Sequence, residues 1–215
     1  MDERSAKIVS ITPVGEETVA IELETPDGMV AKPGQFFLIR ATVEGEEFAR
    51  HYTMSSPDAE ETFELTVGID PEGDFSPWLA SREPGDLLSI TGPFGRIFYD
   101  GEPDSAILAG GPGIGAGLGV AERAHRDGGQ TTLIARCEPD DLPHERRLAT
   151  LASSDVPVFI CRDERSIASA VSAVMAERPD TQWFVFGFRP FASLARDAIV
   201  DAGGVGDDAK IESYG

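Results

Sequence analysis

Residues 105–117 read SAILAGGPGIGAG and combine the two signals that decide the fold, a short apolar run and a glycine-rich turn directly after it. The run 105–109 is typical of a buried strand, and the residues after the turn suit a helix. Gly111, Gly113 and Ala116 fit the G-x-G-x-x-A spacing, in which glycines let backbone N–H groups approach a phosphate at a helix start. In this context the spacing favours a nucleotide site over a simple tight turn.

The alternation of strand and helix continues to the end of the chain. Further strands are predicted at 131–136, 156–161, 182–187 and 209–214, with helices near 114–127, 143–153, 166–177 and 190–202. The apolar residues of the helix at 166–177 share one face, and Ser166 is expected to cap it. Such alternation builds a parallel sheet covered by helices, with ligands at the carboxyl ends of the strands.

The residues before about 100 are rich in strands instead. Six of them are predicted, at 6–12, 18–25, 35–42, 48–54, 62–69 and 86–91. Short strands between turn signals predict a small antiparallel barrel. One helix is expected at 76–82, with Ser76 as N-cap and Pro77 at the first helical position. We therefore expect two domains, 1–101 and 102–215, with the boundary near Gly101–Pro103.

Two clusters in the barrel half carry polar and aromatic residues. Residues 50–57 read RHYTMSSP, and alternation places Arg50 and Tyr52 on one face with His51 and Thr53 on the other. An exposed barrel strand accepts the same residues, so this cluster alone does not decide between a binding site and a plain strand.

The second cluster, GDFSPWL at 73–79, feeds the short helix. A helix N-terminus with a free hydroxyl suits a pyrophosphate, although an ordinary helix cap has the same composition.

The order of these motifs resembles the ferredoxin–NADP reductase family of flavoproteins. R-x-Y-T-x-S (50–55) lies in the barrel half, G-x-x-S (73–76) follows it, and G-G-x-G-I (110–114) opens the α/β half. The resemblance extends from about residue 6 to residue 214. It implies a barrel that binds FAD and a parallel domain that binds NADH or NADPH.

The resemblance also implies roles for single residues. Arg50 would contact the flavin diphosphate, Tyr52 would pack along the ring system, and Thr53 would reach the flavin N5 edge. Glu212 and Tyr214 join Thr53 at the hydride-transfer site, because E-S-Y at the end of the chain is similar to the family's E-x-F/Y finish. The other residues assigned to cofactor binding are His51, Ser55, Ser56, Gly73, Phe75, Ser76, Gly111, Gly113, Ile114, Arg136 and Gly187.

Some positions depart from the family pattern. Phe186-Gly187-Phe188 stands where Cys-Gly-Pro is common, and Pro112 where Thr is frequent. Phe186 either packs on the nicotinamide or belongs to the core. Arg136 would clamp a 2′-phosphate, whereas Glu138 would accept from a ribose hydroxyl and repel that phosphate, so the choice between NADH and NADPH stays open.

The chain is strongly acidic, with 38 acidic and 18 basic side chains among 215 residues and a formal net charge of −20. This excess argues against a nucleic-acid partner. Because the acid is spread along the whole chain, we interpret it as the surface of a protein from a halophile. At molar salt a Debye length of about 3 Å screens the self-repulsion.

Other function classes are addressed by what the sequence lacks. It has no apolar window long enough for a membrane span and no signal peptide, so a cytoplasmic location is expected. Cys137 and Cys161 are expected to be buried inert thiols. The three histidines are scattered without metal-ligand spacing, and no metal is expected.

The sequence thus predicts an FAD-dependent oxidoreductase that passes electrons between NAD(P)H and a separate acceptor, such as ferredoxin, another redox protein or free flavin. Hydride transfer needs reacting atoms about 3–3.5 Å apart, which makes positioning the main task of the protein. The alternative is an electron-transfer or regulatory flavoprotein subunit that no longer uses pyridine nucleotide, as Phe186, Phe188 and Pro112 suggest. FMN in place of FAD is a minor variant.

Overall fold

In the computed structural model, which describes residues 3–214, the backbone forms two sheets. The first has six antiparallel strands in the order β4-β3-β6-β1-β2-β5. They are β1 (Arg4–Gly15), β2 (Thr18–Glu24), β3 (Phe36–Val43), β4 (Glu46–Thr53), β5 (Thr62–Gly68) and β6 (Leu87–Phe94), with helix α1 (Phe75–Ala80) before β6. A bridge between Met54 and Leu65 joins the two edges, so the sheet closes into the predicted barrel.

The second sheet has five parallel strands in the order β11-β10-β7-β8-β9, as predicted. The strands are β7 (Asp104–Gly110), β8 (Gln130–Arg136), β9 (Val158–Cys161), β10 (Gln182–Phe188) and β11 (Lys210–Tyr214). The helices are α2 (Gly113–Arg126), α3 (Glu145–Ala152), α4 (Glu164–Glu177) and α5 (Arg189–Asp201), followed by a 3₁₀ turn at Gly206–Asp208. Side chains of α2 and α3 pack on one face of the sheet and those of α4 and α5 on the other.

Two helix starts differ from the sequence prediction. Helix α1 begins at Phe75 with Asp74 as its N-cap, because Phe75 is buried in the barrel core, and Ser76 instead accepts a hydrogen bond from the Asp70 N–H (2.9 Å). The prediction of Ser76 as N-cap was wrong. Helix α4 is capped by Asp163, which accepts from the Ser166 N–H at 2.7 Å. Ser166 is the third helical residue of this capping box, so its prediction as the cap was wrong as well.

Two lysines hold the connection between the sheets, which runs from the end of β6 to the start of β7. Lys32 of the barrel half forms an ion pair with Asp100, and Lys210 of β11 forms one with Glu102. The Lys210 ammonium also donates to the Phe98 carbonyl (3.3 Å). Each half therefore forms an ion pair with the same short connection. We propose that the domain boundary lies in this connection, at residues 101–102.

Helix α2 lies between the barrel and the parallel sheet, and glycine allows its close approach to the barrel. A Cβ on Gly119 would stand 2.8 Å from the Ser56 carbonyl oxygen and 2.9 Å from that of Ser55. One turn earlier, a Cβ on Gly115 would stand 1.9 Å from the Thr66 hydroxyl oxygen. These residues lie four apart on one helix face. The two halves therefore pack backbone against backbone.

The Gly119→Ala variant tests this contact. On helix propensity alone the change would stabilise the protein by about 1 kcal/mol. Because the new methyl meets backbone atoms that cannot rotate away, we expect destabilisation of about 1–3 kcal/mol instead, measured by urea unfolding. Ser172→Ala on the exposed face of α4 is the control and should change little. A Gly119→Ala protein that is more stable than the wild type would contradict a close contact between α2 and the barrel.

Candidate functional site

A cavity of about 440 Å³ opens where the barrel meets the parallel sheet. Strand β4 contributes four successive residues to its wall, Arg50, His51, Tyr52 and Thr53. Alternation would have divided these residues between two faces. The structure nevertheless lines one cavity with all four of them, at the end of β4. Strand β11 supplies the opposite wall with residues 212–214.

The barrel side of the cavity offers a cation, a flat ring and a hydroxyl. The Arg50 guanidinium is exposed, lies over the Phe48 ring (5.6 Å) and donates to the Ala49 carbonyl (3.0 Å). Burial raises the pKa of Tyr52 to about 12, with Arg50 opposing the shift, so the ring stays neutral. The Thr53 side chain is buried at the end of the strand.

The other wall is formed by the end of the chain and by β10. Burial raises the pKa of Tyr214, while the neighbouring Thr53 hydroxyl lowers it in part. Burial also raises the pKa of Glu212. Phe188 meets Tyr214 edge to face with ring centroids 6.0 Å apart, although Phe188 is itself 54% exposed. This wall is therefore mainly aromatic near the ring of Tyr214.

A second cavity of about 290 Å³ lies beside the first, at the carboxyl ends of β7 and β8. Gly111 and Arg136 lie in its wall, as a nucleotide site at this edge would require. Gly68, Pro112 and Phe188 line both cavities and so form the partition between them. A Cβ on Gly68 would stand 2.6 Å from the Pro112 ring, so this partition is tight.

Carboxylates dominate the charge of the second cavity. Arg136 is ion-paired with Glu138, which leaves its positive charge partly neutralised. Four carboxylates belong to the wall, from Glu17, Asp70, Glu138 and Asp141.

The remaining residues assigned from the sequence lie outside the first cavity. Ser55 donates to Glu64 (2.7 Å) and Ser56 to the Asp58 carbonyl (2.7 Å), so both hydroxyls are engaged within the protein. Gly73 lines a separate hollow beside α1, whereas Phe75 is buried and stacks against Tyr52 at 6.5 Å. The other three lie in the α/β half, where Gly113 and Ile114 are buried at the start of α2 and Gly187 is buried in β10.

Two side chains of the α3 region cross to the barrel. The His144 Nε2 atom lies 2.8 Å from the Thr66 hydroxyl oxygen. Arg147 donates to Glu64 (2.6 Å), to Glu122 (2.8 Å) and to the Ser55 carbonyl (2.8 Å). Burial would lower the Arg147 pKa, but Glu122 and Glu64 hold it above its ordinary value. Burial, helped by Arg147, lowers the pKa of His144 to about 3.

Several further expectations are settled by burial. Phe186 is fully buried, which confirms that it belongs to the core. Cys137 and Cys161 are buried, and burial raises the pKa of each thiol, as expected of inert cysteines.

Among residues 3–214 no cluster of three or more metal-ligating side chains occurs. Over the same range, no helix has the length and apolar character needed to cross a membrane.

Sequence reasoning missed part of the site. Thr66 and Gly68 of β5 line the first cavity, as do Phe36 and Ser213. Thr66 and Gly68 stand at the end of a barrel strand, two residues apart, and that position was an available signal. His144 gave no signal, because its partner is 78 residues away in the chain.

A closed antiparallel barrel and a parallel α/β sheet, with a cavity between them, make up the architecture of the chain. Residues 5–99 match the oxidoreductase FAD-binding domain family. NADH-cytochrome b5 reductase 1 from Aspergillus fumigatus is 33% identical over 148 residues, which cover 62% of this chain and 48% of the fungal protein. The chain thus spans about half the length of the curated relatives it matches.

Solved structures agree with this fold. The ferredoxin reductase of carbazole 1,9a-dioxygenase superposes with a TM-score of 0.83 at 20% identity, over 100% of this chain and 70% of that one. Ferredoxin-NADP+ reductase from Plasmodium falciparum gives 0.81 at 13% identity, over 99% and 97%. Residues 5–99 thus match an FAD-binding domain, and the whole chain shares the fold of these reductases, in agreement with the resemblance seen in the motifs.

The buried neutral His144 makes the stability of the cofactor-free protein depend on pH. In the unfolded chain His144 binds a proton near pH 6.5, whereas in the folded chain it binds one only near pH 3. Stability from this group is therefore complete above pH 6.5 and falls with acidification by up to about 1.4 kcal/mol per pH unit. Urea unfolding from pH 7 to pH 4 should show a shallower loss for His144→Gln than for the wild type. Exposed His125→Gln is the control, and equal slopes for all three proteins would contradict the assignment.

Proposed function

We propose that the chain is an FAD-dependent oxidoreductase that takes a hydride from a nicotinamide nucleotide and passes electrons to a separate acceptor. The observation that carries this proposal is the first cavity, which lies at the contact between the two halves, here called the seam. Arg50, Tyr52 and Thr53 line its barrel side, and Glu212 and Tyr214 line the other side. FAD supplies a ring that accepts hydride, and the protein supplies position and shelter from water.

The residues present fit a flavin. The exposed Arg50 guanidinium is available to bind a diphosphate, for which its planar fork is well shaped. Tyr52 offers a neutral, flat wall to the ring system. Thr53, at the end of β4, would present its hydroxyl to the edge of the ring. Burial raises the pKa of Glu212, which lies in the same cavity wall.

The length of β4 supports FAD over FMN. A hollow of about 450 Å³ lies between α1 and the β3–β4 hairpin, lined by Thr42, Val43, Gly73 and Trp78 among others. Four residues of β4, 46–49, separate this hollow from Arg50 in the wall of the first cavity, a span of about 13 Å. A dinucleotide with its diphosphate at Arg50 can reach both places, whereas a mononucleotide fills only the first.

Flavin reduction tests the proposed function directly. The flavin-loaded protein, mixed anaerobically with NADH in a stopped-flow instrument, should lose its visible flavin absorbance in a single fast phase. Thr53→Val should slow this phase by about tenfold, since one hydrogen bond at the ring is lost. Bound flavin that neither NADH nor NADPH reduces would instead support the subunit alternative, which the tight Gly68–Pro112–Phe188 partition favours.

The charge of the second cavity favours NADH over NADPH. Its wall carries four carboxylates, and its arginine is already paired with Glu138. A 2′-phosphate placed there would meet more negative than positive charge. A ribose hydroxyl, in contrast, can donate to Glu138.

We expect kcat/KM for NADH to exceed that for NADPH by at least about tenfold, a difference that one unfavourable charge contact supplies. Glu138→Gln removes one carboxylate and frees Arg136, so it should raise kcat/KM for NADPH severalfold with little loss for NADH. Exposed Glu177→Gln is the matched control. A wild type that prefers NADPH would contradict this assignment.

The acceptor is proposed to be a separate redox protein. The fungal relatives are named for cytochrome b5 and the structural neighbours for ferredoxin, which supports a protein acceptor in trans. We also propose a cytoplasmic location at high salt, on the strength of the acidic surface.

A further inference from the structure

The segment from Cys137 to Arg147 lines the second cavity and contacts a residue in the wall of the first. Its first part, including Glu138, Asp141 and Pro143, lines the second cavity. Its next residue, His144, reaches across to Thr66 in the wall of the first cavity (2.8 Å). One continuous stretch of chain therefore connects the proposed nucleotide site to the proposed flavin site.

Thr66 and His144 lie against α2 at Gly115, where the helix has no side chain. Both side chains are buried, with Thr66 7% and His144 3% exposed. A Cβ on Gly115 would stand 1.9 Å from the Thr66 hydroxyl oxygen and 3.0 Å from the His144 Nε2 atom. The helix can pass this hydrogen-bonded pair only because residue 115 has no side chain.

His144 is itself held firmly in place. Its backbone lies in the left-handed region (φ 60°, ψ 31°), which is unusual for a residue with a Cβ. Its N–H donates to the Val14 carbonyl at 2.7 Å. On either side, Asp141 accepts from the Glu16 N–H (2.9 Å) and Arg147 binds Glu64 (2.6 Å). A strained conformation persists where surrounding contacts determine it, as they do here.

We propose that His144 is a positioning residue that fixes the Thr66 hydroxyl at the flavin cavity and couples that cavity to nucleotide bound in the second one. The proposal rests on the proposed function. A nucleotide that contacts residues 138–143 changes how tightly this segment holds Thr66 through His144, so its binding affects the bound flavin even without a nicotinamide ring. Such coupling is reciprocal. The factor by which bound nucleotide changes the affinity for flavin equals the factor by which bound flavin changes the affinity for nucleotide.

ADP-ribose is the probe that separates this effect from ring stacking, because it has the nucleotide's diphosphate and riboses but no nicotinamide. Added to the flavin-loaded wild type, it should perturb the visible flavin spectrum. Calorimetry should give affinities for the flavin-loaded and flavin-free proteins that differ by about fivefold or more. Thr66→Val and His144→Leu should still bind ADP-ribose, with the spectral change largely lost and the two affinities equal. Thr66→Ser, which keeps the hydroxyl, should respond like the wild type.

The outcomes separate the two proposals. A spectral response that persists in Thr66→Val would overturn the role of His144, as would a wild type that binds ADP-ribose without any response. Loss of the response in Thr66→Ser would assign the effect to packing and not to the hydrogen bond. A protein that binds no flavin, or no ADP-ribose, would overturn the proposed function itself. Because Thr66→Val is nearly isosteric, it carries the test even where His144→Leu fails to fold.

Discussion

The close approach of α2 to the barrel is the contact on which the rest of the structure depends. Gly119 and Gly115 bring the helix backbone against the Ser55 and Ser56 carbonyls and the Thr66 hydroxyl, with no room for a methyl group. Both cavities lie at this seam, and each takes wall residues from both halves. A wider seam would separate Thr53 from Tyr214 and open both cavities to water. The positioning that the proposed hydride transfer requires therefore depends on two glycines that line neither cavity.

Charge pairing secures the same seam in a chain that is otherwise strongly acidic. Of the three lysines, Lys32 and Lys210 are paired with acids of the connection between the sheets. Arg147, half-buried between Glu64 and Glu122, joins the α/β half to the barrel. The Lys210–Glu102 pair and the pairs of Arg147 are partly buried, so salt screens them much less than the exposed Lys32–Asp100 pair and the other surface charges. Adaptation to high salt, still a prediction, would thus relieve repulsion at the surface while leaving these contacts in place.

The fold was largely predictable from local patterns, whereas the seam was not. Alternation or an apolar run in the sequence predicts every strand of the barrel and of the parallel sheet. The site residues of β4, Arg50–Thr53, are also consecutive in the sequence. The glycines after β7 were interpreted as phosphate-binding. Only Gly111 of that predicted spacing lies in the second cavity, while Gly115 and Gly119 serve packing between the halves. The partnership of His144 with Thr66 is set by tertiary structure, and no spacing encodes it. The caps of α1 and α4 were misplaced because burial of Phe75, and a capping box in place of a simple cap, decided where those helices begin.

The cofactor content of the purified protein tests the central claim most directly. A flavin spectrum with one FAD released per chain on denaturation is the expected result, with binding lost when Arg50→Glu reverses the charge that faces the diphosphate. A chain that binds no flavin after incubation with excess FAD, or that binds FMN as tightly as FAD, would contradict the account.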